Sequence, residues 1–184
     1  SKKIILVKNS LKLLSNLSSD VRKTSFIKSI AITGSSGKTS LKELLGQSLK
    51  KIISTSYSKN SFNNKYGVPL SLFNIKKNNF FGIFEVGMNK KGEIDALSKL
   101  IKPDLSIITN ISYAHIQNFK NLKEVAETKS EIINNTCTGG TVILNRDDNY
   151  YNFLKNKAEK KKLKIVSFSK KRDADIKLIK ISRR

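Results

Sequence analysis

Cysteine is nearly absent. Cys137 stands alone, so the 184-residue chain forms no internal disulfide and cannot supply a thiolate metal cluster. No apolar run approaches the ~20 residues that a membrane-spanning helix needs. The opening Ser1-Lys2-Lys3-Ile4-Ile5-Leu6-Val7 is too short and too soon broken to act as a secretory signal. These absences point to the cytoplasm. The first residue is not Met, and the chain is expected to begin inside a longer one. Acidic residues are scarce as well, 14 against 36 Lys and Arg, for a net charge of +22. Such a balance suits a polyanionic partner, or reflects a drift of composition towards Lys, Asn and Ile. Nearly half of the excess lies in residues 151–184, which hold 13 basic and 3 acidic residues. Those lysines lack the aromatic interleaving of a single-strand binder, so a solvated basic face is favoured over a nucleic-acid surface.

What is present is an alternation. Short apolar runs at Ser29–Thr33, Phe80–Val86, Leu105–Thr109, Thr141–Leu144 and Leu163–Phe168 predict strands. Helical patterns separate them at Thr39–Ile52, Glu93–Ile101, Leu122–Asn134 and Asp148–Lys160. In the first, Leu41, Leu44, Leu45, Leu49 and Ile52 recur at helical spacing and predict one apolar stripe. Strand–helix alternation with nearly continuous apolar strands predicts an α/β fold: a mostly parallel sheet with helices on both faces. Right-handed crossovers then bring every strand's C-terminal end to one edge, where such sheets bind ligands. Residues 1–28 differ, with a possible short strand at Ile4–Val7 and a helix carrying Leu11, Leu14 and Leu17. They are expected to be a connector from a preceding N-terminal domain, leaving 29–184 as the main domain. Asp175–Ser182 alternates weakly, as an edge strand would.

The stretch 30-IAITGSSGKTSLKELL-45 follows a strand and opens an amphipathic helix. It is two residues short of the usual G-x-x-x-x-G-K-[ST] phosphate loop, because its glycines are Gly34 and Gly37. Those glycines let the backbone turn with its N–H groups inward, and the helix N-terminus adds positive potential. Lys38 would then supply a point charge to phosphate, and the Thr39 hydroxyl a ligand to Mg²⁺. The bland alternative, a Gly-Ser turn with an exposed lysine, leaves the register of strand, loop, Gly-Lys-Thr and helix without a reason.

Glu85 closes the apolar run 80-FFGIF-84. A carboxylate inside the sheet would be costly without a partner, whereas at the C-terminal edge it would face the loop and could hold a metal. A place on the solvent side of an edge strand is the other reading. His115, the sole histidine, follows the third strand. A lone histidine is most often a surface or satisfied core residue, but its level matches that of Glu85, and both readings stay open. Lys129 carries no signal as one of 36 basic residues. Asn60, Asn63 and Asn64 could be turn residues before a helix beginning near Val68.

Taken together, these segments resemble the central, ATP-binding domain of the Mur ligases, most closely the MurF type. The loop of that family resembles T-G-x-x-G-K-[ST], as Thr33 to Thr39 read here. Further similar stretches are 59-KNSFNNKYGVPLSL-72, 85-EVGMNKKGEI-94, 110-NISYAHIQNF-119, 126-AETKSEI-132 and 143-ILNRDD-148. Ser112 departs from the family, standing where Gly is usual after Asn-Ile. The resemblance implies ATP binding by Gly34, Ser35, Ser36, Gly37, Lys38, Thr39 and Ser40, and metal binding by Thr39, Glu85 and His115. It implies catalytic roles for Lys38, Lys129 and His115, with Lys129 matching a lysine that some relatives carry as a carbamate. Asn60, Asn63 and Asn64 would line the cleft near substrate. The implied activity is ATP- and Mg²⁺-dependent amide-bond formation, adding D-Ala-D-Ala to a UDP-MurNAc-tripeptide through an acyl phosphate. The substrates and the missing N- and C-terminal ligase domains would be the partners, with no membrane. The domain is expected to stop short of its last helix and strands. The alternatives are another Mur or folylpolyglutamate-type ligase, against which the NNKYGVPL run speaks, and a basic nucleic-acid-binding module.

Overall fold

The computed structural model describes residues 4, 6–113 and 118–180. Seven strands form the frame: β1 (Lys28–Thr33), β2 (Thr55–Tyr57), β3 (Phe81–Glu85), β4 (Leu105–Ile108), β5 (Thr141–Asn145), β6 (Lys164–Ser169) and β7 (Ile176–Lys177). Their order is β2-β3-β1-β4-β5-β6-β7, and every pairing is parallel. The helices are α1 (Ser10–Thr24), α2 (Lys38–Lys50), α3 (Gly67–Phe73), α4 (Glu93–Ile101), α5 (Leu122–Lys129), α6 (Glu131–Asn135) and α7 (Tyr151–Lys160). Because β1 lies between β3 and β4, the chain fills one side of β1 and then crosses to the other. The C-terminal end of β1 is therefore a topological switch point, where open α/β sheets leave a crevice.

Alternate residues of each strand face opposite layers. Ile30, Ile32, Ile83 and Ile107 form one buried layer, against which Leu41, Leu45 and Leu49 of α2 pack. Ala31, Phe84, Ile108, Val142 and Leu144 face the other, with residues of α3, α4, α5, α6 and α7. Each fully buried isoleucine stabilises the fold by roughly 2–3 kcal/mol. Among the described residues, no helix is long and apolar enough to cross a membrane.

Several local expectations change. The stripe predicted along α2 holds only in part: Leu44 and Ile52 are exposed, while Lys42 and Gly46 are buried in their place. β2 has only three residues, too few to show a period. The helix predicted over Leu122–Asn134 is two helices meeting at Ser130, which lets Glu131 turn towards α4 and accept the main-chain N–H groups of Gly92 (2.8 Å) and Asp95 (3.0 Å). Ile4, Leu6 and Val7 belong to no strand. The edge strand β7 has two residues where Asp175–Ser182 was expected, with residues 181–184 outside the described ones.

The N-terminal helix α1 docks on the domain. Ser18, wholly buried, donates to the Pro69 carbonyl at 2.7 Å. Arg22 donates to the carbonyls of Ile101 (2.6 Å) and Lys102 (3.0 Å) and to Ser29 Oγ (3.0 Å), beside Asp104 at 3.5 Å. Those carbonyls end α4, where a cation is favoured.

Candidate functional site

The loop between β1 and α2 is shaped by two glycines. Gly34 adopts φ 147°, and a Cβ there would meet Thr109 Oγ1 at 1.8 Å. Gly37, at φ 79°, is the residue before α2, and no side chain caps that helix end. The N–H groups of the first turn of α2 have no intrahelical acceptors, so together with the helix dipole they suit an anion. The first half of the loop is held by the chain leaving β4. Asn110 accepts from Ser35 N through its carbonyl (3.0 Å) and its Oδ1 (3.1 Å), and from Ser36 N at 3.0 Å. Ser35 Oγ exchanges hydrogen bonds with the main chain of Ser112, accepting from its N at 2.8 Å and donating to its O at 2.9 Å. Ser112 does not have a positive φ, so the side chain standing in place of a family glycine is accommodated.

Two lysines converge on this loop. Lys38 Nζ and Lys129 Nζ both donate to the Gly34 carbonyl, at 2.9 and 3.0 Å. Lys129 comes from the last turn of α5 and is 2% exposed. Burial, and then the neighbouring Lys38 charge, bring its pKa down to about 7. Burial also lowers the Lys38 pKa, opposed by the Glu85 charge. Desolvation disfavours each ammonium, and the Lys38 charge disfavours that of Lys129 further, so the pair would be relieved by an arriving anion.

Facing them is Glu85, the last residue of β3 and 1% exposed. One carboxylate oxygen accepts from Thr39 Oγ1 at 2.8 Å, the other from Asn63 Nδ2 at 2.7 Å. Among the described residues no cation forms an ion pair with it. A buried carboxylate bonded only to a hydroxyl and an amide, without a contacting cation, offers the hard oxygen donors that Mg²⁺ prefers, so Thr39 and Glu85 fit that ion.

A cavity of about 480 Å³ opens beside the loop, lined by Lys38, Lys129, Asn63, Asn64, Lys65, Tyr66 and the 87–97 region. Asn63 and Asn64 thus sit at the cavity. Asn64 also accepts from Tyr66 N and Gly67 N, each at 3.0 Å, in the turn ahead of α3. Asn60 does not line it; its carbonyl accepts from Lys42 Nζ. Ser40 lies in the first turn of α2, exposed. His115 lies outside the described residues. Sequence reasoning missed two residues. Asn110 had a readable signal: with Thr109 it forms the polar pair that follows the apolar run of β4. Lys42 had none, being one more lysine on a helix.

The family model of the Mur ligase middle domain matches residues 32–184. The UDP-N-acetylmuramoyl-tripeptide–D-alanyl-D-alanine ligase of Borreliella burgdorferi is 42% identical over 167 residues, covering 89% of this chain and 35% of the relative. A crystal structure of MurF from Acinetobacter baumannii superposes with a TM-score of 0.86 at 32% identity, covering 94% of this chain and 37% of that one. MurF from Thermotoga maritima, solved in complex with ADP, gives 0.82 at 29% identity, covering 93% and 39%. The chain therefore spans little more than a third of the length of these relatives. With its short phosphate loop, its paired lysines and its buried strand-end carboxylate, the chain belongs to the Mur ligase middle-domain family.

Proposed function

We propose that this chain is the ATP- and Mg²⁺-binding part of a ligase that adds D-Ala-D-Ala to a UDP-MurNAc-tripeptide in the cytoplasm. Residues 29–184 are the nucleotide-binding domain and residues 1–28 the connector to a substrate-gripping N-terminal domain, with a closing C-terminal domain as the other partner. The observation that carries this reading is the Thr39–Glu85 hydrogen bond, 2.8 Å long, beside an uncapped helix N-terminus and two lysines on one carbonyl.

The reaction class is carboxylate activation. The terminal carboxylate of the peptide attacks the γ-phosphorus of ATP and ADP leaves; the dipeptide amine then attacks the acyl carbon and phosphate departs. Phosphoryl transfer calls mainly for positioning and charge neutralisation, and these two steps use no protein nucleophile. The first turn of α2 donates its N–H groups to phosphate oxygens. Lys38 leaves the Gly34 carbonyl to bind phosphate instead. Thr39 and Glu85 would hold one Mg²⁺, with His115 helping to hold a second, and Ser35, Ser36 and Ser40 would border the nucleotide. Bound Mg²⁺ supplies neutralisation of charge on the transferring group. Lys129, its pKa brought down to about 7 by burial, is the lysine suited to take up CO₂ as a carbamate, which would replace a cation by an anion in the site. Asn60, Asn63 and Asn64 belong to the segment along the substrate side of the cavity.

Calorimetric titration with ATP, with and without Mg²⁺, tests the reading. Mg²⁺-dependent heat that disappears in Lys38→Ala is expected. No heat with Mg²⁺ present, or binding of oligonucleotides with a steep salt dependence instead, overturns it.

A further inference from the structure

Lys42 is wholly buried, yet no step proposed above uses it. Three residues beyond Thr39, it shares a face of α2 with that residue. Its Nζ donates to the main-chain carbonyl of Asn60 and lies 2.9 Å from Glu43 Oε1. Burying an ammonium costs several kcal/mol unless it is paired and hydrogen-bonded, so these two oxygen partners are what lets Lys42 be buried. The residue it grips is unusual too: Asn60 holds φ 46°, in the left-handed region that a side chain rarely adopts. Within the next few residues, Asn63 N donates to Ser61 O at 2.8 Å and Asn63 O accepts from Gly87 N at 2.7 Å. Asn63 Nδ2 then reaches Glu85 Oε1 at 2.7 Å. A single helix face thus touches both ends of one arrangement, Thr39 on Glu85 directly and Lys42 on the turn that delivers Asn63 to the other oxygen.

We propose that Lys42 is a positioning residue: by clamping the Asn60 carbonyl to α2, it fixes the 60–63 turn so that Asn63 stays on Glu85 and orients its carboxylate. The consequence for metal-linked nucleotide binding rests on the function proposed above, but the positioning itself does not.

Two measurements on the ¹⁵N-labelled 184-residue chain decide this. Without nucleotide, the side-chain NH₂ resonances of Asn63 report its bond to Glu85. In Lys42→Met, which keeps the bulk and removes the donor, they are expected to move towards free-amide positions, and in Lys42→Arg to return most of the way. Unmoved Asn63 resonances in folded Lys42→Met overturn the proposal. Where the Met variant does not fold, Lys42→Gln, which stays polar but is uncharged and one bond too short to keep the Asn60 contact, replaces it and is judged by the same two outcomes. With Mg²⁺ and ATP, Lys42→Met is expected to weaken binding about fivefold, with ATP binding in the absence of Mg²⁺ unchanged. In an Asn63→Ala background the same substitution is expected to cost nothing further. A full additional loss there overturns it, because a purely structural lysine would act independently of Asn63. If the unaltered chain binds no ATP, the proposed function fails while the Asn63 resonances still decide the role of Lys42.

Discussion

Two stretches of the same sheet edge use basic residues in opposite ways. At the ends of β1 and β3, Lys38 and Lys129 turn inward onto one carbonyl, and Lys129 is buried. At the ends of β5 and β6, Lys170, Lys171 and Arg172 are exposed, and only their backbone is fixed: Asp147 accepts all three N–H groups, at 2.6, 3.1 and 3.0 Å. Those N–H groups, with that of Lys170 foremost, hold the Asp147 carboxyl below its usual range. Here the loop is ordered through its main chain and its charges remain in water, where each contributes little. Function is therefore not to be read from the net charge of +22 but from the few cations withdrawn from solvent. Among the described residues Lys42 and Lys129 are the fully buried lysines; Lys129 lines the cavity, and Lys42 holds the Asn60 carbonyl on the turn that leads to Asn63.

The contrast can be broken first at Glu85. Glu85→Ala is expected to weaken Mg²⁺-dependent ATP binding about 100-fold, measured by calorimetry, because a charged, water-excluded ligand is lost. An equal loss without Mg²⁺ would remove Glu85 from metal binding. Next comes pH. A lysine whose folded pKa is about 7, against about 10.5 unfolded, makes the unfolded chain bind more protons between those values, so stability rises with pH across that window. Lys129→Met is expected to remove about 2 kcal/mol of the rise between pH 7 and 9, read from urea unfolding at each pH. A rise unchanged by the substitution would place Lys129 in solvent. Arg22→Ala, which frees the carbonyls ending α4, is expected to cost about 1.5 kcal/mol in the same unfolding assay without changing ATP affinity. The smallest effect belongs to the exposed loop. Replacing Lys170, Lys171 and Arg172 by Gln is expected to shift stability by less than about 0.5 kcal/mol and ATP affinity by less than about twofold. A larger loss of ATP affinity would make that loop part of the nucleotide site.

What could be read in advance was contiguous. The loop from Thr33 to Ser40 was legible because strand, glycines, lysine, hydroxyl and helix follow one another, and each sets the conformation of the next. Glu85 was legible because a carboxylate ending an apolar strand must find a polar setting. The five longer apolar runs appear as strands for the same local reason, while β2, with three residues, gave no periodicity to detect. The stripe along α2 was half right: the pattern found Leu41, Leu45 and Leu49, but it could not know that Gly46 and Lys42 turn inward while Leu44 faces water. The break at Ser130 followed from the packing of Glu131 on α4, a contact 36–39 residues back along the chain.

By itself the amino-acid order determined the kind of layers, the parallel direction of the strands and the glycine turn between β1 and α2, because periodicity and glycine placement act over a few neighbouring residues. Tertiary structure alone decided which lysines matter. Desolvation and shared acceptors depend on chain segments far apart, such as Lys129 with Gly34 and Lys42 with Asn60, and no local pattern distinguishes those side chains from the others of their type.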